Sequence, residues 1–419
     1  MKKKSVLYML MAAMVLLSTA CGKTEDDSST VISEPIVEKV ERNPSAEKKS
    51  TAGETSSAQG ETSTETEVDA GKNKQTADSE DDAETAAIKE KFGENCIAQQ
   101  TFEVELSEYE GKVYFVPYEP TEDGQDFHMQ IVRDEEVLTD IEGYVPEGVH
   151  GNLLKKPFDS LDAVSFFDIN YDGETDIILI ETYGGISFAA VYYGHREGIS
   201  DIASFFPREE LSEKITAGVE ELSISGIRSF LSGGKRNGEF TDYREAYEAL
   251  MNFCALDNVE HKYDLIYFDE DDTPELTVGV NGYYISMYTY DAGTVYQVMD
   301  QWGYGAFGNV GYEYSPKKNS LRNYNADYAG AIGYTTYMTL NAQHAMEQVV
   351  QIVFYNFDDV NQNGIPDEDE EDSIGYYGVS YIDGREVSRE ECESYDIGGY
   401  QYMETDKSIE EIKSLLYAH

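Results

Sequence analysis

From about residue 100 the chain alternates apolar and polar positions in short runs that predict β-strands. Thr101–Leu106, Lys112–Tyr118, Phe127–Arg133, Ala163–Phe167, Ile177–Glu181 and Ser187–Tyr193 are rich in β-branched and aromatic residues. A helical region, Pro207–Leu231, follows, and Ser232, Gly233 and Gly234 read as a boundary. Beyond it, Asp242–Ala255 places Tyr243, Tyr247, Leu250 and Cys254 on one helical face, with Thr241 as its N-cap. Strands return at Tyr263–Phe268, Glu275–Val280 and Tyr283–Tyr290, then in tyrosine-rich runs to about Phe357. Two short helices close the chain, each opening on a Ser-x-x-Glu box, Ser388/Glu391 and Ser408/Glu411. The pattern predicts a β-rich α+β protein with two domains of antiparallel sheet and a few helices, at 88–234 and 235–419.

The first ninety residues have a different character. Lys2, Lys3 and Lys4 precede an apolar run from Val6 to Leu17, and Ser18, Thr19 and Ala20 lead to Cys21 and Gly22. Residues 1–20 read as an export signal. The junction resembles the bacterial lipobox, with Ser18 where that motif usually has Leu, Val or Ile. The resemblance implies a lipid on Cys21, anchoring the chain to a membrane and facing outside the cytoplasm. The alternative is an ordinary secretory signal cut near Ala20. Residues 21–87 are rich in Ser, Thr, Glu and Asp, and no Phe, Trp or Tyr occurs between Tyr8 and Phe92. With so little to bury, the stretch is expected to be a disordered acidic linker with a span of roughly 45 Å.

The net charge is −51, and loss of residues 1–20 removes three lysines and no acid. Such acidity excludes nucleic acid as a partner and favours cations or basic partners. Cys96, Cys254 and Cys392 are widely spaced, without a CxxC pair or zinc spacing. One disulfide with a spare thiol, or three free thiols, both fit.

The acids concentrate in three loops. Asp168, Asn170, Asp172, Glu174 and Asp176 stand at positions one, three, five, seven and nine, with Gly173 at six. Side-chain oxygens at one, three, five and nine, with a backbone carbonyl at seven, suit calcium, and the glycine permits the turn. Strand-like runs on both sides make this unlike an EF-hand and similar to the calcium loops of FG-GAP and VCBS repeats. Ninety-nine residues on, Asp269, Asp271, Thr273 and Glu275 echo positions three, five, seven and nine, but Tyr267 and Asp272 replace the first ligand and the glycine. As a metal site the echo reads as degenerate. The third loop has Asp359, Asn361, Asn363, Ile365, Asp367 and Glu370 at positions one, three, five, seven, nine and twelve. It fits the EF-hand ligand spacing after a strand rather than a helix, and so resembles the loops of thrombospondin type 3 repeats. For the first and third loops the alternative is a polar turn or loop whose acids are simply solvated.

No catalytic constellation is visible. HExxH, GxSxG and P-loop motifs are lacking, and the GxGxxG match at Gly303, Gly305 and Gly308 runs into a strand rather than a helix. Trp302, Tyr304 and Tyr312 invite a ligand-stacking role, against the plainer one of sheet packing. The lipobox, the acidic linker, Val164-Ser-Phe-Phe-Asp-Ile-Asn-Tyr-Asp-Gly and Asp271-Asp-Thr-Pro-Glu-Leu together resemble uncharacterised surface lipoproteins of clostridia-like anaerobes. The expectation is a lipid-anchored, calcium-binding surface protein that binds glycan or protein. The alternatives are an extracellular hydrolase using an acidic pair and a structural envelope-interaction lipoprotein.

Overall fold

The computed structural model describes residues 81–121, 128–144, 157–196, 203–306 and 308–418, with the backbone of 68–69. Cys21, the signal and most of the expected linker lie outside the described residues. The linker was expected to run to residue 87, but β1 (Val68–Asp69) pairs with Val164 and Ala163, and helix α1 (Asp81–Phe92) starts inside it. The reason is local: Ile88 and Phe92, four apart, share a helical face that packs against Cys96, Val116 and Val132.

The first half has three layers. Strands β2 (Phe102–Glu105), β3 (Lys112–Tyr118), β4 (His128–Arg133) and β5 (Glu136–Glu142) form one antiparallel sheet. Strands β6 (Phe158–Phe167), β7 (Asp176–Tyr183), β8 (Ile186–Arg196) and β9 (Ala203–Pro207) form a second, with β1 on its edge. Alternation along β7 fixes the layering. Ile177 and Leu179 point to the first sheet and meet Phe115, Met129 and Ile131. Ile178 and Ile180 point the other way, onto helices α2 (Glu209–Gly218) and α3 (Ile224–Ser232), through Ile215, Ile227 and Leu231.

The single helical region expected over Pro207–Leu231 is therefore two helices. Pro207 ends β9, and Ser223 opens α3 by accepting the Gly226 N–H at 3.1 Å. Gly233 closes α3 in a left-handed conformation, φ 69°.

The second half repeats the order helix, sheet, sheet. Helix α4 (Tyr243–Cys254) is capped by Asp242, which accepts the Arg244 N–H at 2.7 Å, rather than by Thr241. It packs with α6 (Ile409–Leu416) on the sheet β10 (Lys262–Ile266), β11 (Glu275–Val280), β12 (Tyr284–Asp291) and β13 (Thr294–Gly303). The opposite face of that sheet meets a seven-stranded antiparallel sheet through Phe268, Met287, Leu321 and Met338. Its strands are β14 (Tyr312–Ser315), β15 (Ser320–Asp327), β16 (Ile332–Leu340), β17 (Met346–Tyr355), β18 (Val379–Ile382), β19 (Arg385–Val387) and β20 (Gln401–Tyr402). Helix α5 (Arg389–Glu393) precedes β20. Ser388 and Ser408 cap α5 and α6 as the sequence indicates, and Ser408 with Glu411 forms the reciprocal box.

The halves are not beads on a linker. All the described residues fall in one compact unit. Tyr171, from the β6–β7 loop, is buried in the second half's helical core against Phe240 and Phe253, at 6.4 and 6.2 Å between ring centroids. It holds φ 65°, an expensive conformation for a bulky residue. Its hydroxyl has no hydrogen-bond partner among the described residues. Tyr171→Ala is therefore expected to lose several kcal/mol of stability, in the range of about 3–5 for deleting a large buried ring. Tyr171→Phe, which removes only the unsatisfied hydroxyl, should be neutral or stabilising. Urea denaturation of the two variants checks both expectations.

Candidate metal centre

The first loop is wound by its own side chains. Gly173 N–H donates to Asp168 Oδ2 (3.2 Å), Asp172 N–H to Asn170 Oδ1 (3.3 Å) and Glu174 N–H to Asp172 Oδ1 (2.8 Å). Positions four and six are left-handed, Tyr171 at φ 65° and Gly173 at φ 86°. Asp176, at position nine, opens β7 with no exposed surface. Its Oδ2 accepts the Ile169 N–H at 2.7 Å and its Oδ1 the Gly194 N–H at 3.0 Å.

The third loop follows the same template. Gly364 N–H donates to Asp359 Oδ2 (3.0 Å), Asn363 N–H to Asn361 Oδ1 (2.9 Å) and Ile365 N–H to Asn363 Oδ1 (2.9 Å). Again positions four and six are left-handed, Gln362 at φ 59° and Gly364 at φ 81°. Asp367 accepts from the amides of Asn361 (2.6 Å) and Asn363 (2.9 Å). Glu370, at position twelve, is buried and folds back to accept from the N–H groups of Asn361 (3.3 Å) and Asp367 (3.2 Å). A strand precedes this loop and one 3-10 turn, Glu371–Ser373, follows it, so no pair of EF-hand helices flanks it.

The echo keeps more of the template than its sequence promised. Asp271 N–H donates to Asp269 Oδ1 (3.0 Å), Thr273 N–H to Asp271 Oδ1 (2.7 Å) and Phe268 N–H to the buried Glu275 Oε2 (2.7 Å). Each bond has its counterpart ninety-nine residues earlier. Asp269, Asp271 and Glu275 bring carboxylate oxygens within 4.8 Å of one another, a trio that can hold a metal ion. Losing the first ligand and the glycine has not scattered the other acids, because the backbone bonds that aim them survive. In the first and third loops, asparagine stands where this one has Asp269, and its amide N–H groups tie up a neighbouring carboxylate. At the lost positions, Lys317 Nζ sits 2.6 Å from Asp272 and 5.0 Å above the Tyr267 ring.

Around the first loop the fold adds groups that its sequence does not contain. Glu108, in the β2–β3 turn, is buried and accepts the Thr175 N–H. The Ser107 N–H donates to Thr175 Oγ1 at 2.9 Å. Asn237 donates to Asp168 Oδ2 at 2.9 Å while exchanging two bonds with the backbone of Val295 on β13, at 2.9 and 2.8 Å. Asp300, also on β13, is close enough for its charge to act on Asp172. Loop one is thus the joint between the halves. No local signal marks Glu108, Asn237 or Asp300, since each looks like a solvated turn or strand residue in sequence.

These acids crowd one another in a poorly hydrated place. Burial, with the charge of Asp172 adding to it, pushes Asp168 up to about 7. Burial, with Glu174 nearby, likewise pushes Glu108 up to about 7. Burial raises Asp176 well above the carboxylate range, and Asp168 and Asp172 raise it further. In the echo, burial with Asp269 and Asp271 close by pushes Glu275 up to about 8. Asp168 Oδ1 and Glu174 Oε2 are buried oxygens with no hydrogen-bond partner among the described residues. Orphaned, crowded oxygen donors of this kind fit a hard cation.

The expected stacking residues are placed otherwise. Tyr312 is buried, and Trp302 and Tyr304 are half-buried against the core between the two sheets of the second half. Trp302 and Tyr304 lie 5.5 and 6.5 Å from the Tyr312 ring, so the trio packs on itself rather than presenting free faces. Cys96, Cys254 and Cys392 are all free thiols. Among the described residues, no helix is long and apolar enough to cross a membrane. No protein-family model matches the chain, and no curated protein matches it.

A pH dependence follows from the raised carboxyls. In the folded chain Asp168 and Glu108 titrate near 7 and Glu275 near 8, against ordinary values of 3.8 and 4.5. The folded form therefore holds these protons more tightly than the unfolded form. The stability they give is complete below the ordinary values and is lost as pH rises through 7–8. In chelator, the melting temperature should fall between pH 5 and pH 8.5. Thermal melts across that range check it, and a flat or rising profile contradicts it.

Proposed function

We propose that the chain is a lipid-anchored, calcium-stabilised protein displayed outside the cytoplasm, whose folded part is a binding module for glycan or protein. The observation that carries the calcium reading is the one hydrogen-bond template shared by loops 168–176 and 359–370 and largely kept by 269–275. Each loop offers oxygen donors alone, at a spacing suited to a large hard cation. Asp168, Asn170, Asp172, Glu174 and Asp176 would serve the first loop, and Asp359, Asn361, Asn363, Ile365, Asp367 and Glu370 the third. Bound calcium would neutralise the crowded acids and brace the loops. Extracellular modules need only weak sites, on the order of 10⁻⁴–10⁻³ M. The anchor rests on Cys21 and its flanks, and on the likeness to clostridia-like surface lipoproteins.

Titration calorimetry with calcium, paired with thermal melts at pH 8, tests the calcium reading. Millimolar calcium is expected to raise the melting temperature by several degrees. Asp172→Asn, Asp271→Asn and Asp359→Asn should each remove part of that shift. Absence of both heat and shift at ten times the expected site strength sinks the reading.

Lipid labelling in cells tests the anchor. Cys21→Ala should abolish acyl incorporation and release the chain from the membrane. Retained labelling would place the anchor elsewhere.

A further inference from the structure

Asp168 opens loop one, and two groups hold its side chain through the same oxygen. Its Oδ2 accepts from the Gly173 N–H at 3.2 Å and from Asn237 Nδ2 at 2.9 Å. Its Oδ1 is left buried, with no hydrogen-bond partner among the described residues. A carboxylate clamped through one oxygen keeps the other bare and in a fixed place. The Gly173 bond comes from within the loop, whereas Asn237 belongs to the other half of the molecule.

Asn237 is itself held through both ends of its amide. Its Oδ1 accepts the Val295 N–H at 2.8 Å, and its Nδ2 donates to the Val295 carbonyl at 2.9 Å. That residue settles which way the amide faces, since an N–H needs the oxygen and a C=O the nitrogen. The second Nδ2 hydrogen then goes to Asp168. The backbone beneath is constrained as well. Arg236 N–H donates to Glu239 Oε2 at 2.9 Å and Glu239 N–H to the Arg236 carbonyl at 3.1 Å, closing a turn over Asn237 and Gly238. The N–H groups of Gly238 and Phe240 both donate to the Gly293 carbonyl, at 3.1 and 3.2 Å, which docks the turn on the β12–β13 hairpin. A Cβ at Gly293 would stand 2.9 Å from the Gly238 carbonyl oxygen, so a side chain there would push the turn away.

We propose that Asn237 is a positioning residue for the cation of loop one. It holds Asp168 so that Oδ1 is presented as the first ligand, which makes binding by a first-half loop depend on the second half. The inference rests on the calcium reading and adds to it a residue outside the loop. Ligating carboxylates are commonly held by such an outer hydrogen bond, whose loss costs roughly ten- to a hundredfold in metal affinity. An amide suits the position better than a lysine or arginine, because it directs the carboxylate without neutralising the charge that the ion needs. The coupling runs both ways. A cation that fixes Asp168 also steadies Asn237 and its bond to Val295, so occupancy of the loop is felt on β13.

The test is calcium titration calorimetry on the full chain carrying Asp271→Asn and Asp359→Asn, which leaves loop one as the intact template. Adding Asp172→Asn should abolish the remaining heat and so assign it to loop one. Adding Asn237→Ala instead should weaken binding roughly ten- to a hundredfold. Asn258→Ala is the comparison, because Asn258 also joins the halves without touching the loop. It bonds Lys214 Nζ at 2.8 Å and Glu210 Oε2 at 2.7 Å, both on α2. Its loss should leave the calcium affinity unchanged, whatever it costs in melting temperature. Hydrogen exchange on the unsubstituted chain gives a second arm. Calcium should slow the Val295 amide more than the Gln301 amide, which Ser286 Oγ holds at 2.9 Å on the same strand. Unchanged affinity in Asn237→Ala, an equal loss in Asn258→Ala, or equal slowing at Val295 and Gln301 overturns the role of Asn237. No calcium heat before Asp172→Asn is added, or the same heat after it, overturns the calcium reading of that loop and this inference with it.

Discussion

A carboxylate with no exposed surface has to be offset from within the protein. At Asp176 two backbone N–H groups do this, from Ile169 in its own loop and Gly194 on the next strand. Those two bonds decide the shape of the loop, because they tie its first turn and its exit strand to one side chain. They also draw β8 in so closely that a Cβ at position 194 would lie 2.4 Å from the Thr175 carbonyl and 2.5 Å from Glu108 Oε1. With the exit fixed, Asp168 and Asp172 are held close enough for their charges to act on Asp176. The raised carboxyl protonation and the orphaned oxygens are downstream of that one constraint.

The same device operates in the second half. Glu275, also without exposed surface, accepts the Phe268 N–H and a weaker bond from Thr289 at 3.4 Å. A helix layer, a central sheet and an outer sheet surround it in both cases. Glutamate's extra methylene does not move the bond to position two, since both distances are 2.7 Å. What differs is what each loop faces. The first faces the other half of the molecule, through Asn237 and Tyr171, whereas the second faces solvent and Lys317.

Much of this is legible in the sequence, and the limit is set by locality. Strands β3 and β11 fall where alternation and bounding turns put them, at Lys112–Tyr118 and Glu275–Val280. Strand β5 is hidden because Glu136, Asp140 and Glu142 give it the polarity of a loop. Loop ligands can be read from spacing because neighbours in the chain bind together. Glu108 and Asn237 could not be read, as their bonds reach across 67 and 69 residues. The aromatic residues failed for a related reason. Composition says that tyrosine is plentiful, but which rings are covered depends on how two sheets meet. Trp302 and Tyr312 fall between sheets, while Tyr324 and Phe354 fall outside them.

Tyr171 has a consequence for how such a chain can change over generations. It belongs by sequence to the first half and by packing to the second, against Phe240 and Phe253. The Ser232-Gly233-Gly234 stretch looks like a seam, yet a crossover there would separate a ring from the cavity shaped for it. Related chains must therefore inherit positions 171, 240 and 253 as a set. A smaller residue at one should travel with a larger one at another, and the two halves cannot be exchanged between lineages as independent parts.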